Sequence, residues 1–322
     1  MLMFLTIGTA MALIPLGVWA YKDLSLKLDV TEEEHLPSKV HLGWRVPIGI
    51  DHSRREFTLD FSKTPHLTLG GATRYGKSNM LHSIIVSLMR SRPGDVTFTM
   101  IDLKGGIELG DYDEMKNCLG VAYEPSEALK SLRNVLSMMK STQASLKRRK
   151  KRKHLSSKHF IIIDEVGELN PSEAVDSEEK KLKKEIQQIL SQISRLGAGL
   201  GYHLILATQY PTGDVIPRQC KQNSDAKICF RVQSGTASKV VLDEVGAEEL
   251  PDIKGRAIFQ RGADRFTVQT YLVTEKMIRN TIENHKRESH QEVVYHEAIE
   301  CPSREDIIIF EETQFSDEDA TF

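Results

Sequence analysis

The chain has 322 residues, enough for one large or two modest domains with a proper core. Apolar residues make up 40% and charged residues 27%, which excludes wholesale disorder, and a net charge of −2 rules out a globally basic surface while leaving room for a local one. Four cysteines (Cys118, Cys220, Cys229 and Cys301) are scattered without CxxC pairs or zinc-spaced histidines, so they read as reduced thiols and not as a disulfide or zinc framework.

Met1 to Ala20, "MLMFLTIGTAMALIPLGVWA", carries no charged side chain. At 1.5 Å per residue, about 20 helical residues cover a hydrocarbon core of about 30 Å. Trp19 and Tyr21 stand where an interfacial belt belongs, and Lys22 follows. A cleaved signal peptide is the rival reading, against which stand the missing basic n-region and the lack of a small-x-small site before Tyr21. A buried core helix is the third, weakened by the absence of a polar face. The reading adopted is a transmembrane anchor over 1–21, with the remainder facing the cytoplasm, where ATP is found. A charged juxtamembrane linker is expected over 22–56.

From Phe57 the pattern changes to short apolar runs alternating with longer amphipathic ones. "HLTLG" is a strand, "SNMLHSIIVSLMRS" a helix, "DVTFTMIDL" a strand and "SEALKSLRNVLSMMKSTQASL" a long helix. "HFIIIDE" is a strand, "EEKKLKKEIQQILSQISRL" a helix, and "YHLILATQ" and "AKICFRV" are strands. Interleaved strands and helices predict an α/β domain over 57–274, its mostly parallel central sheet covered on both faces. The unbroken apolar stretches at 160–163 and 204–207 belong in its middle. A helix and an acidic tail are expected over 275–322.

Between the first strand and helix lies Gly71-Ala72-Thr73-Arg74-Tyr75-Gly76-Lys77-Ser78, which fits G-x-x-x-x-G-K-[ST] at every specified position. Glycines let successive N–H groups converge on a β-phosphate, and the helix starting near Lys77 turns its positive end to the same point. Lys77 would reach the β- and γ-phosphates of ATP, and Ser78 would ligate Mg²⁺. Downstream, Asp164 and Glu165 end a buried strand. Asp164 would hold the magnesium through its water shell, and Glu165 would orient and deprotonate the attacking water; a solvated acidic strand end is the bland alternative. Gln209 ends a later strand as a γ-phosphate sensor or, equally, as a capping residue. Asp102 and Lys104 close the second strand before a Gly105-Gly106 turn, and no catalytic role is assigned to them.

The succession "GGATRYGKS", "IDLKGG", "IIIDEVGEL", "GYHLILATQYPTGDVI" and "KICFRVQSGTASKVVLDEVGAEEL" resembles the motor domain of FtsK/SpoIIIE-type DNA translocases, over roughly residues 67–269. The part after Gln209 is the most telling, because ATP binding does not by itself demand it. The resemblance implies a RecA-like P-loop NTPase assembled as a homo-oligomeric ring of six, with ATP between neighbours and DNA in the pore. It places Gly71, Gly76, Lys77 and Ser78 in the phosphate loop, Asp164 and Glu165 as magnesium and water-activating acids, and Gln209 as sensor. An arginine from the adjacent subunit is implied too. Arg195 is the candidate, with an ordinary solvated helix position as its alternative; Ala198 stands where relatives often carry a basic residue.

The same resemblance turns the loop "YPTGDVIPRQCKQN" toward the pore, where Gly213, Arg218 and Lys221 would track DNA phosphates without regard to sequence. The run Lys147 to Lys153, "KRRKKRK", would attract DNA or anionic lipid, or be a solvated helix end. The acidic tail "EAIECPSREDIIIFEETQFSDEDATF" lacks the cationic face of a DNA-reading helix, so sequence-specific targeting is expected from a partner docked there. The layout resembles coupling ATPases of conjugative elements, which take DNA from a relaxase to a secretion channel. Related motors export polypeptides, so a protein-secretion ATPase is the alternative function.

Overall fold

Ten β-strands among the described residues join in one sheet, in the order β2-β1-β10-β9-β8-β3-β7-β6-β4-β5. They are β1 (Arg45–Ile50), β2 (Glu56–Asp60), β3 (Leu67–Gly70), β4 (Val96–Ile101), β5 (Cys118–Ala122), β6 (Lys158–Ile163), β7 (Tyr202–Thr208), β8 (Ala226–Phe230), β9 (Arg256–Arg261) and β10 (Asp264–Thr270). The computed structural model describes residues 34–148, 156–209, 211, 213 and 215–288. The anchor read at 1–21, most of the basic run 147–153 and the acidic tail lie outside them. Among the described residues no helix is long and apolar enough to cross a membrane.

The stretch from β8 through β3, β7, β6 and β4 to β5 is parallel throughout. Strands β9, β10, β1 and β2 extend it antiparallel. Among the described residues six α-helices accompany the sheet: α1 (Lys77–Ser91), α2 (Pro125–Arg148), α3 (Ser177–Leu196), α4 (Arg218–Gln222), α5 (Gly235–Leu242) and α6 (Glu275–Asn284).

Side-chain alternation divides the core. Phe160, Ile162, Ile205 and Ala207 pack with Met80, Ile84 and Leu88 of α1 on one face. Ile161, Ile163, Leu204 and Leu206 pack with Leu132 and Val135 of α2 and Ile186, Leu190 and Ile193 of α3 on the other. A parallel strand buried on both faces needs apolar residues at every position, which is why these runs are unbroken.

Two boundaries differ from the sequence reading. The expected linker 22–56 contains β1, whose residues Val46 to Ile50 are buried, and it pairs with β10 and β2. Its cue was masked by Pro47 and flanking charges, while the partner that buries it, β10, lies more than 200 residues downstream. Helix α6 likewise belongs with the motor domain, because Met277 and Ile278 pack on Leu36, Ile50, Val86 and Tyr271. The chain divides at Arg287, and all the elements above belong to the first unit.

At the strand starts, away from the phosphate loop, sit three buried histidines. His203 Nδ1 is 2.8 Å from the Pro65 carbonyl, so that nitrogen carries the proton and Nε2 accepts from Lys158 at 3.1 Å. His66 Nδ1 accepts from the Leu204 N–H at 2.9 Å. His159 lies between the hydroxyls of Thr97 and Thr99. Burial pushes His66 down to about 4 and His159 to about 3. Burial also carries His203 well below its usual value, helped by the adjacent Lys158.

These imidazoles are neutral in the native state, whereas the unfolded chain takes up protons below about pH 6.5. Stability from them is therefore complete above that pH and falls as pH drops toward 4 and 3. The loss is on the order of 3 kcal/mol for His66. Thermal melts across pH 4–8 are expected to show this fall, and His159→Gln to flatten its share of the slope.

Candidate nucleotide site

The phosphate loop follows β3, a parallel strand inside the sheet flanked by β7 and β8. Gly71 N–H donates to the Thr208 carbonyl at the end of β7 (3.3 Å), and Ala72 N–H to the Arg231 carbonyl just past β8 (2.9 Å). Across the loop, Gly255 N–H bonds the Tyr75 carbonyl (2.9 Å), and the Tyr75 hydroxyl bonds Asp252 (2.9 Å). Helix α1 then starts at Lys77 with Gly76 as its cap. Asn79, in its first turn, ties it to β10's exit by bonding the Tyr271 carbonyl and the Val273 N–H.

Gly71 and Gly76 have φ of +153° and +116°. A Cβ on Gly71 would lie 2.6 Å from Phe230 Cβ, and one on Gly76 would lie 3.1 Å from the Phe230 ring. The loop rests on Phe230, and the two glycines make that approach possible.

A cleft of about 290 Å³ is lined by Ala72, Thr73, Arg74, Gly76, Lys77, Ser78, Asn79, Glu108 and Gln209. Just beneath it, the Lys77 ammonium bonds the Asp164 carbonyl (2.7 Å) and Asp164 Oδ1. Both side chains are buried, Lys77 at 3% exposure and Asp164 at 0%. An ammonium has three donors, so one remains for a phosphate oxygen. Glu165, 2% exposed, accepts from the Gln209 N–H (2.8 Å) and the Lys104 ammonium (3.0 Å) on Oε2, and from the Gly167 N–H (3.3 Å) on Oε1. Gln209 Oε1 in turn accepts from the Thr73 hydroxyl (3.3 Å).

Magnesium fits these residues. Asp164 Oδ2 is buried without a hydrogen-bond partner, an anionic oxygen open to a hard cation, and Ser78 supplies a hydroxyl in the cleft above. Among the described residues no cluster of three or more metal-ligating acids, histidines or cysteines occurs. That suits an ion that keeps its waters and takes one or two protein ligands together with phosphate oxygens.

The structure thus gathers the phosphate loop, Asp164, Glu165 and Gln209 at one end of the sheet. Arg195 is not among them. It is exposed on the last turn of α3, beside the start of β7, so the seven residues of that strand (about 20 Å) separate it from the loop's end. Gly213, Arg218 and Lys221 do come together, around a cleft of about 320 Å³ with Ile216, Gln222, Val240 and Asp243. Arg218 is exposed, but Lys221 is held by Asp243 at 2.6 Å. Glu108 escaped the sequence reading, and Lys104 was noted there without a catalytic role. Both come from the loop after β4, and the signal was the acid-lysine pair Asp102/Lys104 ending a strand parallel to β6.

Gly71→Ala is expected to weaken binding of a fluorescent ATP analogue by about tenfold or more through displacement of the loop. Gly94→Ala, where an added Cβ meets nothing within 4 Å, should leave it unchanged in the same titration.

Residues 39–159 match the family model described as FtsK/SpoIIIE family, a span that stops just short of Asp164 and Glu165. The chain is 32% identical over 226 residues to the DNA translocase FtsK of Streptococcus pneumoniae, covering 64% of this chain and 28% of that protein. It is 31% identical over 261 residues to the DNA translocase FtsK of Leptospira interrogans, covering 74% and 26%. It therefore spans less than a third of the length of these relatives. Among solved structures, the pCW3 conjugation coupling protein TcpA, in a monomer form with ATPγS, superimposes with a TM-score of 0.68 at 26% identity, over 78% of this chain and 72% of that one. The cytoplasmic domain of the type VII secretion ATPase EccC from Thermomonospora curvata shares the fold, with a TM-score of 0.63 at 24% identity over 80% and 33%. Over residues 39–159 the chain carries a domain that matches the FtsK/SpoIIIE family model, in a fold shared with the ATP-analogue-bound coupling protein.

Proposed function

We propose that this protein is an ATP-driven DNA translocase. The observation that carries the reading is the placement of Glu165, fixed beside the phosphate loop with its Oε2 on the Gln209 amide. Main-chain N–H groups of Thr73, Arg74 and Gly76 and the Lys77 ammonium would bind the triphosphate. Ser78 and Asp164 would hold Mg²⁺, which would supply charge neutralisation at the phosphates. Glu165 would orient the attacking water and take its proton.

DNA as the polymer is supported by the likeness to the FtsK translocases and by the Gly213, Arg218 and Lys221 cleft on the segment after Gln209. Likeness to a conjugation coupling protein supports service to a mobile element, with a relaxase or secretion-channel protein as partner. Arg195, far from its own phosphate loop, suits action on a neighbour's nucleotide in a ring, for which six subunits is the proposed number. The apolar stretch 1–21 is proposed as a single-pass membrane anchor that leaves the motor in the cytoplasm.

ATP turnover by the purified full chain, with and without duplex or single-stranded DNA, tests the function. DNA is expected to stimulate turnover, more at low salt than at high. Stimulation by a peptide and by no DNA would replace this reading with a protein-secretion ATPase. Glu165→Gln is expected to cut turnover about 100-fold or more while ATP-analogue binding persists.

A further inference from the structure

Two carboxylates end β6, and two ammonium groups meet them: Lys77 on Asp164 and Lys104 on Glu165. The first pair is expected of any phosphate loop beside an acidic strand end. The second is not. Of the three donors to Glu165, those of Gly167 and Gln209 are backbone groups, which almost any residue there would supply. Lys104 is the side-chain donor among the described residues, and its presence depends on residue type.

The loop after β4 is built to deliver it. Asp102, fully buried, accepts the N–H groups of Lys104 (3.2 Å), Glu108 (3.0 Å) and Leu109 (2.8 Å), so one carboxylate folds the whole turn around itself. Gly105 and Gly106 have φ of +77° and +76°, and a Cβ on Gly106 would lie 2.6 Å from the Tyr123 ring. This tight turn sends Lys104 across the end of β6 to Glu165. Its side chain is 25% exposed, well below what a solvated surface lysine would show.

We propose that Lys104 is a positioning residue for hydrolysis. Its ammonium holds the Glu165 carboxylate in the one orientation from which that group takes a proton from the attacking water. The inference rests on the ATPase reading of Glu165. Without Lys104 the buried carboxylate keeps two backbone donors and loses its charged one, so it gains rotamers that face away from the water. Binding of the triphosphate uses the loop and Lys77, which Lys104 does not touch among the described contacts. The consequence is a loss confined to the chemical step.

The test compares steady-state ATP hydrolysis by the full chain for wild type, Lys104→Ala, Lys104→Met and Lys104→Arg, with ATP-analogue titrations and melting curves alongside. For the Ala and Met variants kcat is expected to fall about tenfold or more while KM stays within about twofold, and Arg is expected to restore most of kcat. The Met variant keeps the aliphatic stem, so it separates loss of charge from loss of packing. Unchanged kcat in folded Ala and Met variants overturns the proposal. So does a raised kcat, which would make Lys104 a brake, or a rise in KM alone. If the wild type itself shows no turnover, the ATPase reading fails and takes this inference with it; turnover in the wild type with indifferent Lys104 variants removes this inference alone.

Discussion

The buried contact between Lys77 and Asp164 is the point on which the rest of the structure turns. It joins the first residue of α1 to the end of β6 across the end of β7, and neither side chain has water to fall back on. Breaking such a pair by removing one partner costs about 3–5 kcal/mol, because the survivor is left charged and buried. The phosphate loop cannot therefore drift from the acids that would work on its ligand. Its other tethers, to the Thr208 and Arg231 carbonyls, fix it to both neighbouring strands. Three parallel strands and one ion pair set the anion site before any ligand arrives.

That arrangement leaves the two ends of the sheet with different chemistry. One end holds two acids, two lysines and a glycine loop. The other holds neutral imidazoles packed among rings, with Phe160 stacked on His203 at 4.9 Å and edge-on to Phe61 at 5.0 Å. Arg195 stands exposed near this second end. A side chain there cannot serve its own phosphate loop, so a role at a nucleotide requires a head-to-tail neighbour, the kind of contact that closes into rings.

Legibility in the sequence followed the range of the interactions. The parallel strands β3, β4, β6, β7 and β8 were readable because each is buried on both faces and announces itself as an apolar run. Strands β1, β2, β9 and β10 pair antiparallel at the far side, with β10 returning to β1 from the other end of the chain. Strands β2 and β10 are half-exposed and carry no such mark, while β1 and β9 are buried but interrupted or bounded by Pro47, Arg256 and Arg261, so neither shows a long apolar run. In the site, Gly71 to Ser78 and Asp164-Glu165 were legible because local spacing makes the chemistry. Lys104 was not, since its role appears only once β4 lies beside β6 and Asp102 has folded the turn. Lys221 was readable as a cation but not as one already paired, because Asp243 reaches it from the end of α5.

One chain of contacts connects these parts. The Thr73 hydroxyl, in the phosphate loop, bonds the side chain of Gln209; the backbone N–H of Gln209 bonds Glu165 Oε2, the oxygen that Lys104 also holds. Gln209 is therefore the residue at which the phosphate-loop cleft, Glu165 and the segment bearing Gly213, Arg218 and Lys221 meet. A group placed at the γ-phosphate would compete for the Thr73 hydroxyl and release the Gln209 side chain, while the backbone bond to Glu165 persists. Coupling of hydrolysis to a threaded polymer needs a two-state element biased from both sites, not a line of contacts alone. Among the described contacts the Gln209 side chain is held by the loop hydroxyl, and its backbone bond to Glu165 gives such an element a fixed point about which to move.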